Sequence, residues 1–144
     1  MVNDDTIKLL KECNAGVKMA VSSIDELLDK VKDEKLKDRL IRSKEAHTKL
    51  GDQTHQLLLE YHDQDKEPNP MAKAMSWLKT NFNMMKNNSD SEVAKLIIDG
   101  CTMGVQSLSD YLKQYELADE ESVQITNKLI KLEVDLSADL QKYL

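Results

Sequence analysis

The chain has 144 residues and a formal net charge of −6, with 32% charged and 40% hydrophobic residues, which suits a single folded domain over residues 1–144. Four Gly and two Pro are too few for the turns of a strand-rich fold, so we predict an all-α protein. No apolar run approaches the roughly 18 residues of a membrane span, and no basic patch is present to neutralise phosphates, so we expect neither membrane nor nucleic-acid binding.

Two long amphipathic helices are predicted in the first half of the chain. Hydrophobic residues recur at spacings of three and four over about residues 5–31 and again over about residues 34–62. Asp33 stands at the N-cap position of the second segment. Because the joint between the two segments is very short, we expect an antiparallel hairpin.

A shorter helix is predicted after a polar stretch, residues 63–70, that contains both prolines. Asn69 followed by Pro70 is typical of an N-cap and a first helical residue. These residues predict a helix over about 70–86, in the connection between the two halves of the chain.

Two further long helices are predicted in the last third of the chain. Ser89 and Glu92 have the spacing of a capping box, which predicts a helix over about 90–117. Asp119 is the predicted N-cap of a last helix over about 120–143. Two hairpins joined by a long connection are typical of a four-helix bundle with one long crossover, here with an extra helix inside it.

This order of elements resembles the ferritin-like four-helix bundles, over nearly the whole chain. Four local motifs also resemble a bacterial ferritin-like family of unknown function: PNP at 68–70, MSWLK at 75–79, DGCTMG at 99–104 and DYL at 110–112. The resemblance implies a ferritin-like fold, and it raises the question of whether two metal ions are held inside the bundle.

The ligands of such a di-metal site are not present in the sequence. That site needs a Glu from each of two helices and Glu-x-x-His from each of the other two. All three histidines, His47, His55 and His62, fall in the second predicted helix. In the last helix Glu133 is followed three residues later by Leu136 instead of a histidine. We therefore predict no di-iron centre, no bound metal and no cofactor.

No other catalytic pattern is present. The sequence has no glycine-rich phosphate loop and no Cys-x-x-Cys or His-Glu-x-x-His motif for zinc. Cys13 and Cys101 lie within apolar helical stripes, where a free cysteine behaves as a small hydrophobic residue, and a redox pair is the less favoured alternative. We predict no catalytic residues and expect a protein that is not an enzyme.

One level of the predicted bundle combines polar residues with glycines inside helices, where each glycine costs roughly 1 kcal/mol relative to alanine. The functional interpretation is a ligand slot, and the structural alternative is close approach of helices around a hydrogen-bonded core histidine with a neighbour such as Asn14. The candidate layer consists of His47, Asn14, Gly16, Gly51, Cys101, Met103 and Gly104.

The crossover helix carries a second apolar stripe that includes Trp77, Asn81 and Met84. Tryptophan and methionine are frequent at protein interfaces. This stripe indicates either a contact surface for another protein or a wide buried face, and the sequence favours neither.

The expected function is that of a non-catalytic cytoplasmic bundle that binds a protein partner or forms a homodimer. The acidic start of the chain lacks the parts of a signal peptide. The alternative is a metal-binding, redox or iron-storage protein with an unorthodox site built from Glu45, His47, Asp52 and His55. A third possibility is a purely structural bundle without a small ligand.

Overall fold

The computed structural model describes residues 3–61 and 70–144, except for the side chains of residues 70–75. Every regular element in these residues is helical, which confirms the predicted all-α class. The elements are α1 (Asp4–Leu28), α2 (Glu34–Glu60), α3 (Pro70–Asn83), α4 (Asp90–Gln114), α5 (Glu120–Leu140) and a short 3₁₀ turn (Gln141–Tyr143).

Four of the helices begin at a side-chain N-cap. Asn3, Asp33, Ser89 and Asp119 each accept a hydrogen bond from the backbone amide three residues further along. Each bond satisfies one of the amides that the first helical turn leaves without a partner. The predictions for Asp33, Ser89 and Asp119 are confirmed, whereas the predicted cap at Asn69 lies outside the described residues.

Three helices end about three residues earlier than the apolar pattern predicts. The first ends at Leu28, and the chain continues in a turn in which the Val31 amide donates to the Leu28 carbonyl. Val31 is still buried, so its apolar side chain extends the pattern beyond the helix. After α3, the Glu92 carboxylate accepts from the amides of Lys86 and Asn87, which fixes a non-helical link.

Contacts at the two ends of the bundle set the helix directions. The Asp90 carboxylate at the start of α4 accepts from the backbone amides of Lys32 and Asp33, between α1 and α2. At the other end, the Asn3 side chain donates to the Leu117 carbonyl beyond α4. The helix α4 therefore runs antiparallel to α1 and in the same direction as α2.

The core consists of two apolar clusters separated by a polar level. One cluster lies towards the turn between α1 and α2 and includes Leu27, Leu40 and Leu140. The other lies towards the opposite end and includes Leu10 and Leu58. Between the two clusters, the buried polar side chains of His47 and Glu133 face each other from α2 and α5.

Substitution of two helical glycines is expected to have opposite effects on stability. A Cβ at Gly51 would lie 2.7 Å from Val17 Cγ1, and a branched side chain in a helix has little rotational freedom to move aside. A Cβ at Gly16 would lie 3.7 Å from Leu129 Cδ2, an ordinary contact. We expect Gly51→Ala to lower the free energy of unfolding by about 1–2 kcal/mol, and Gly16→Ala to raise it by up to about 1 kcal/mol. Urea unfolding measures both, and a Gly51→Ala protein as stable as the wild type would contradict the close approach of α1 and α2.

Candidate ligand-binding site

A pocket of about 330 Å³ lies between α1 and α4. It exists because the facing helix surfaces carry small residues where larger side chains would fill the space. Its walls include Gly16 and Ala20 of α1 and Gly100 and Gly104 of α4. Residues of α5 complete the lining.

The single tryptophan of the chain, Trp77, forms part of the wall of this pocket. Its ring packs against Gly100, where a Cβ would lie 3.7 Å from Trp77 Cζ3. The Asn81 side chain donates to the Trp77 carbonyl at 2.8 Å. Helix α3 thus covers part of the gap between α1 and α4, and its tryptophan can report on what enters.

The charged residues that line the pocket are all acidic. Glu12 and Glu133 contribute carboxyl groups, and no Lys, Arg or His is among the lining residues that the structure describes. Glu12 is hydrogen-bonded to Tyr111; burial raises the pKa of Glu12, and that bond opposes the change. The rest of the lining is apolar or small, so the pocket offers little to stabilise a negative charge.

Glu133 is held by the fully buried His47. The two ring nitrogens of His47 lie 2.8 Å from Glu133 Oε1 and 2.7 Å from the Ser43 carbonyl oxygen. A carbonyl oxygen and a carboxylate oxygen are both acceptors, so both nitrogens have to donate, which only the protonated ring can do. The geometry therefore favours an imidazolium–carboxylate pair across α2 and α5.

The pKa of His47 reflects this arrangement. Burial alone lowers the pKa, because it disfavours the charged ring. The hydrogen bond and the negative charge of Glu133, together with the Ser43 carbonyl, outweigh burial and raise the net pKa above its ordinary value. His47 is accordingly protonated at a higher pH in the folded chain than in the unfolded chain.

Stability is expected to fall as the pH rises from 6 to above neutrality. The raised pKa of His47 contributes stability that is fully present below the ordinary value of 6.5 and is lost as the pH rises through the folded-state pKa. Urea unfolding across this range should give a declining free energy of unfolding for the wild type. In the His47→Gln variant the decline should be smaller, whereas the exposed-site variant His55→Gln should keep it. A decline of equal size in all three proteins would contradict the assignment.

The second carboxylate oxygen of Glu133 lies beside Gly104 in the pocket lining. A Cβ at Gly104 would lie 3.9 Å from Glu133 Oε2, so the missing side chain leaves this oxygen uncovered. The nearby Cys101 thiol hydrogen-bonds to the same carboxylate, and burial together with the Glu133 charge raises the pKa of Cys101. Cys101 is therefore a neutral thiol and a weak donor.

The cysteines are both free and buried. Cys13 is hydrogen-bonded to Thr126 at 3.2 Å, and burial raises the pKa of Cys13 to about 11. Cys101 belongs to the other apolar cluster. Both thiols thus occupy the hydrophobic surroundings that their sequence positions predict, and they form no disulfide.

The structure brings together part of the predicted polar layer. Four of its members, Gly16, Cys101, Met103 and Gly104, line the pocket. His47 stands behind Glu133 and is not itself part of the lining. The predicted pocket level is thus occupied, but its polar group comes from α5.

Two other members of the predicted layer have different roles. Gly51 packs against Val17 of α1 and does not line the pocket. Asn14 is buried on α1, but the hydrogen-bond partners of His47 are Ser43 and Glu133, so the suggested Asn14 partnership is wrong.

Sequence reasoning overlooked Glu133 as the functional carboxylate. A signal was present, because Glu133 lies four residues after Leu129 and three before Leu136, on the apolar face of the last helix. An acid at such a position is rarely buried without a partner.

The remaining predicted residues are distributed as follows. Trp77 is half-buried in the pocket wall, Asn81 bonds to its backbone, and Met84 is 71% exposed. Among the described residues, no group of three or more His, Cys, Asp or Glu side chains is placed to hold a metal ion. The alternative metal site is therefore not assembled: His47 is buried, whereas its other members are exposed, namely Glu45, Asp52 and His55.

Comparisons with known proteins leave the pocket without an assigned role. No family model, no curated protein and no solved structure matches the chain. Within the residues described, no helix is long and apolar enough to cross a membrane. A function therefore has to be inferred from the geometry of the pocket.

Proposed function

We propose that the protein is a non-catalytic binding protein that holds one small, mainly apolar molecule between α1 and α4. The observation that carries this proposal is the pocket itself, with a volume of about 330 Å³ and a predominantly apolar lining. Ligand pockets generally start at about 300 Å³ and combine apolar walls with a few placed polar groups. Here Glu133 supplies the principal polar group in the interior.

The size of the pocket sets it apart from ordinary packing gaps. Protein interiors have few voids larger than one water molecule, which takes up about 30 Å³ in the liquid. The pocket is about eleven times larger. Both facing helices carry glycines at this level, at a cost in helix stability, and that cost supports a role for the space.

The architecture we propose is the ferritin-like bundle that the sequence resembles. The parallel directions of α2 and α4 support it, since they require a long crossover such as the segment that contains α3. In this proposal the middle of the bundle carries a histidine–glutamate pair and a pocket where related bundles would hold two metals. The cytoplasmic location and the lack of enzymatic activity stay predictions.

Titration with n-butylbenzene tests the proposed binding function. Because Trp77 forms part of the wall, its fluorescence should change in a saturable manner as the pocket fills. The melting temperature should rise with ligand concentration, since the ligand binds only the folded state. Neither effect at ligand saturation would contradict the proposal.

Two leucine variants locate the binding. Ala20→Leu places extra carbon atoms at the pocket wall and should abolish both effects. Gln106→Leu adds a leucine at an exposed position of α4 outside the lining and should leave both unchanged. Circular dichroism checks that each variant is folded, and equal binding by all three folded proteins would place the ligand elsewhere.

Self-association is a second proposal, favoured by the 71% exposure of Met84. Its predicted neighbours contribute less, because Trp77 is directed to the pocket and Asn81 to the helix backbone. Light scattering of the wild type and of Met84→Lys tests it. A dimer that the substitution dissociates would support the proposal, and a monomer in both would remove it.

A further inference from the structure

The polar end of the pocket presents an acceptor whose capacity is only partly used. Glu133 is 8% exposed, and its Oε1 accepts from His47 at 2.8 Å. Oε2 lies beside the gap left by Gly104. A carboxylate has about four lone-pair sites, so the bonds from His47 and the weak Cys101 donor leave room for another. A molecule that buries this oxygen without donating to it would lose a hydrogen bond from water and gain none.

A negatively charged end group is disfavoured at this position. The two charged groups of the lining, Glu12 and Glu133, are both carboxyl groups. The one cation close by, His47, is separated from the pocket by Glu133 and already donates from both ring nitrogens. A carboxylate or phosphate would therefore be desolvated beside like charge without a partner.

A positively charged end group fits poorly as well. The His47 ring neutralises Glu133, so an ammonium group would add an uncompensated charge in an apolar surrounding. An ammonium has three N–H donors, whereas Glu133 presents one open oxygen, and Glu12 is already bonded to Tyr111. A group with a single donor and no charge matches what is available.

We infer that the molecule held in this pocket is a neutral alcohol with an aliphatic body, whose hydroxyl group donates to Glu133 Oε2. The inference rests on the proposed binding function and specifies its ligand class. The apolar body lies along the small residues of α1 and α4, towards Trp77 and Met103. The pocket volume of about 330 Å³ corresponds to a body of roughly ten non-hydrogen atoms.

Two isomers separate the hydroxyl donor from everything else about the ligand. 1-Octanol and 1-methoxyheptane have the same atoms and similar shape, but only the alcohol can donate. Titration of the wild type, followed by Trp77 fluorescence and by calorimetry, should show about tenfold or greater preference for the alcohol, as expected for a hydrogen bond to a charged group. Octanoate and octylammonium should both bind more weakly than the alcohol.

A substitution at Glu133 tests which atom recognises the hydroxyl group. In Glu133→Gln the amide oxygen can still accept from His47, while the amide nitrogen turns a donor towards Gly104. The ether can accept from that donor as well as the alcohol can, so the preference should fall to nearly one. Ser107→Ala removes another polar group of the lining and should leave the preference unchanged.

The outcomes distinguish this inference from the function on which it rests. If butylbenzene binds but the two isomers bind equally well, the inference is overturned and the binding function stands. Tighter binding of octanoate or octylammonium than of the alcohol overturns it too, as does an unchanged preference in Glu133→Gln. If neither butylbenzene nor either isomer binds, the proposed function itself fails.

Discussion

Replacing His47 with alanine is expected to lower the free energy of unfolding by about 3–5 kcal/mol. The His47 ring is fully buried and donates to Glu133 and to the Ser43 carbonyl. Its removal leaves a carboxylate with only 8% exposure next to an empty space and without its charged partner. The uncompensated charge dominates the loss, because burial of a lone carboxylate is far more costly than burial of an apolar group. Chemical denaturation near pH 6, where the pair is intact, measures the effect.

A double variant and a surface variant serve as controls for His47→Ala. His47→Leu combined with Glu133→Leu removes both charges and keeps the space filled, so it should be more stable than His47→Ala. Lys44→Ala removes an exposed ion pair with Asp25 on the same helix and should cost less than about 1 kcal/mol. A double variant less stable than the single variant would show that the loss comes from packing and not from the unpaired charge.

Replacing Leu129 with alanine is expected to lower the free energy of unfolding by about 2–5 kcal/mol. Leu129 is 1% exposed, belongs to the apolar cluster of Leu10 and Leu58, and lies close to Gly16. Its truncation removes buried carbon atoms and enlarges the existing pocket, which the helices cannot close without moving. Urea unfolding gives the stability change.

Val134→Ala is the matched control for Leu129→Ala. Val134 is on the same helix but is 48% exposed, so its truncation should change the free energy of unfolding by no more than about 0.5 kcal/mol. A Leu129→Ala protein that loses no more stability than Val134→Ala would mean that Leu129 is not in the core.

The features that could be predicted from the sequence depend on residues close together in the chain. The caps at Asp33, Ser89 and Asp119 were predictable because each accepts from an amide only three residues away. Helix ends were less accurate. Val31 is buried after α1 has ended, and an apolar spacing cannot distinguish a helical residue from one that packs in the following turn.

The candidate site was predictable in level but not in composition. Gly16 and Gly104 line a gap, whereas Gly51 allows Val17 to approach, and a glycine in a helical pattern is compatible with either role. The partner of His47 lies 86 positions away on another helix. Helical spacing places Glu133 on an apolar face, but the rotation and depth of α5 relative to α2 decide what that face meets.

The crossover helix shows the same limit. Spacing alone left Trp77 on a stripe that could be either exposed or buried. In the folded chain its ring packs on Gly100, because only a glycine there leaves room for the indole. Met84 lies beyond the last residue of α3 and is exposed. Residues of one predicted stripe thus have different surroundings because the helix ends between them.

The most direct test of the proposed ligand site is an isotope-filtered NOE measurement on labelled protein with unlabelled 1-octanol. Contacts from the alcohol chain should appear at pocket residues on three helices: Met19 of α1, Trp77 of α3 and Met103 of α4. No contacts should appear at the exposed side chain of Val134, which lies outside the pocket. Contacts confined to exposed positions such as Val134, or none at saturating alcohol, would contradict the assignment of a ligand site between α1 and α4.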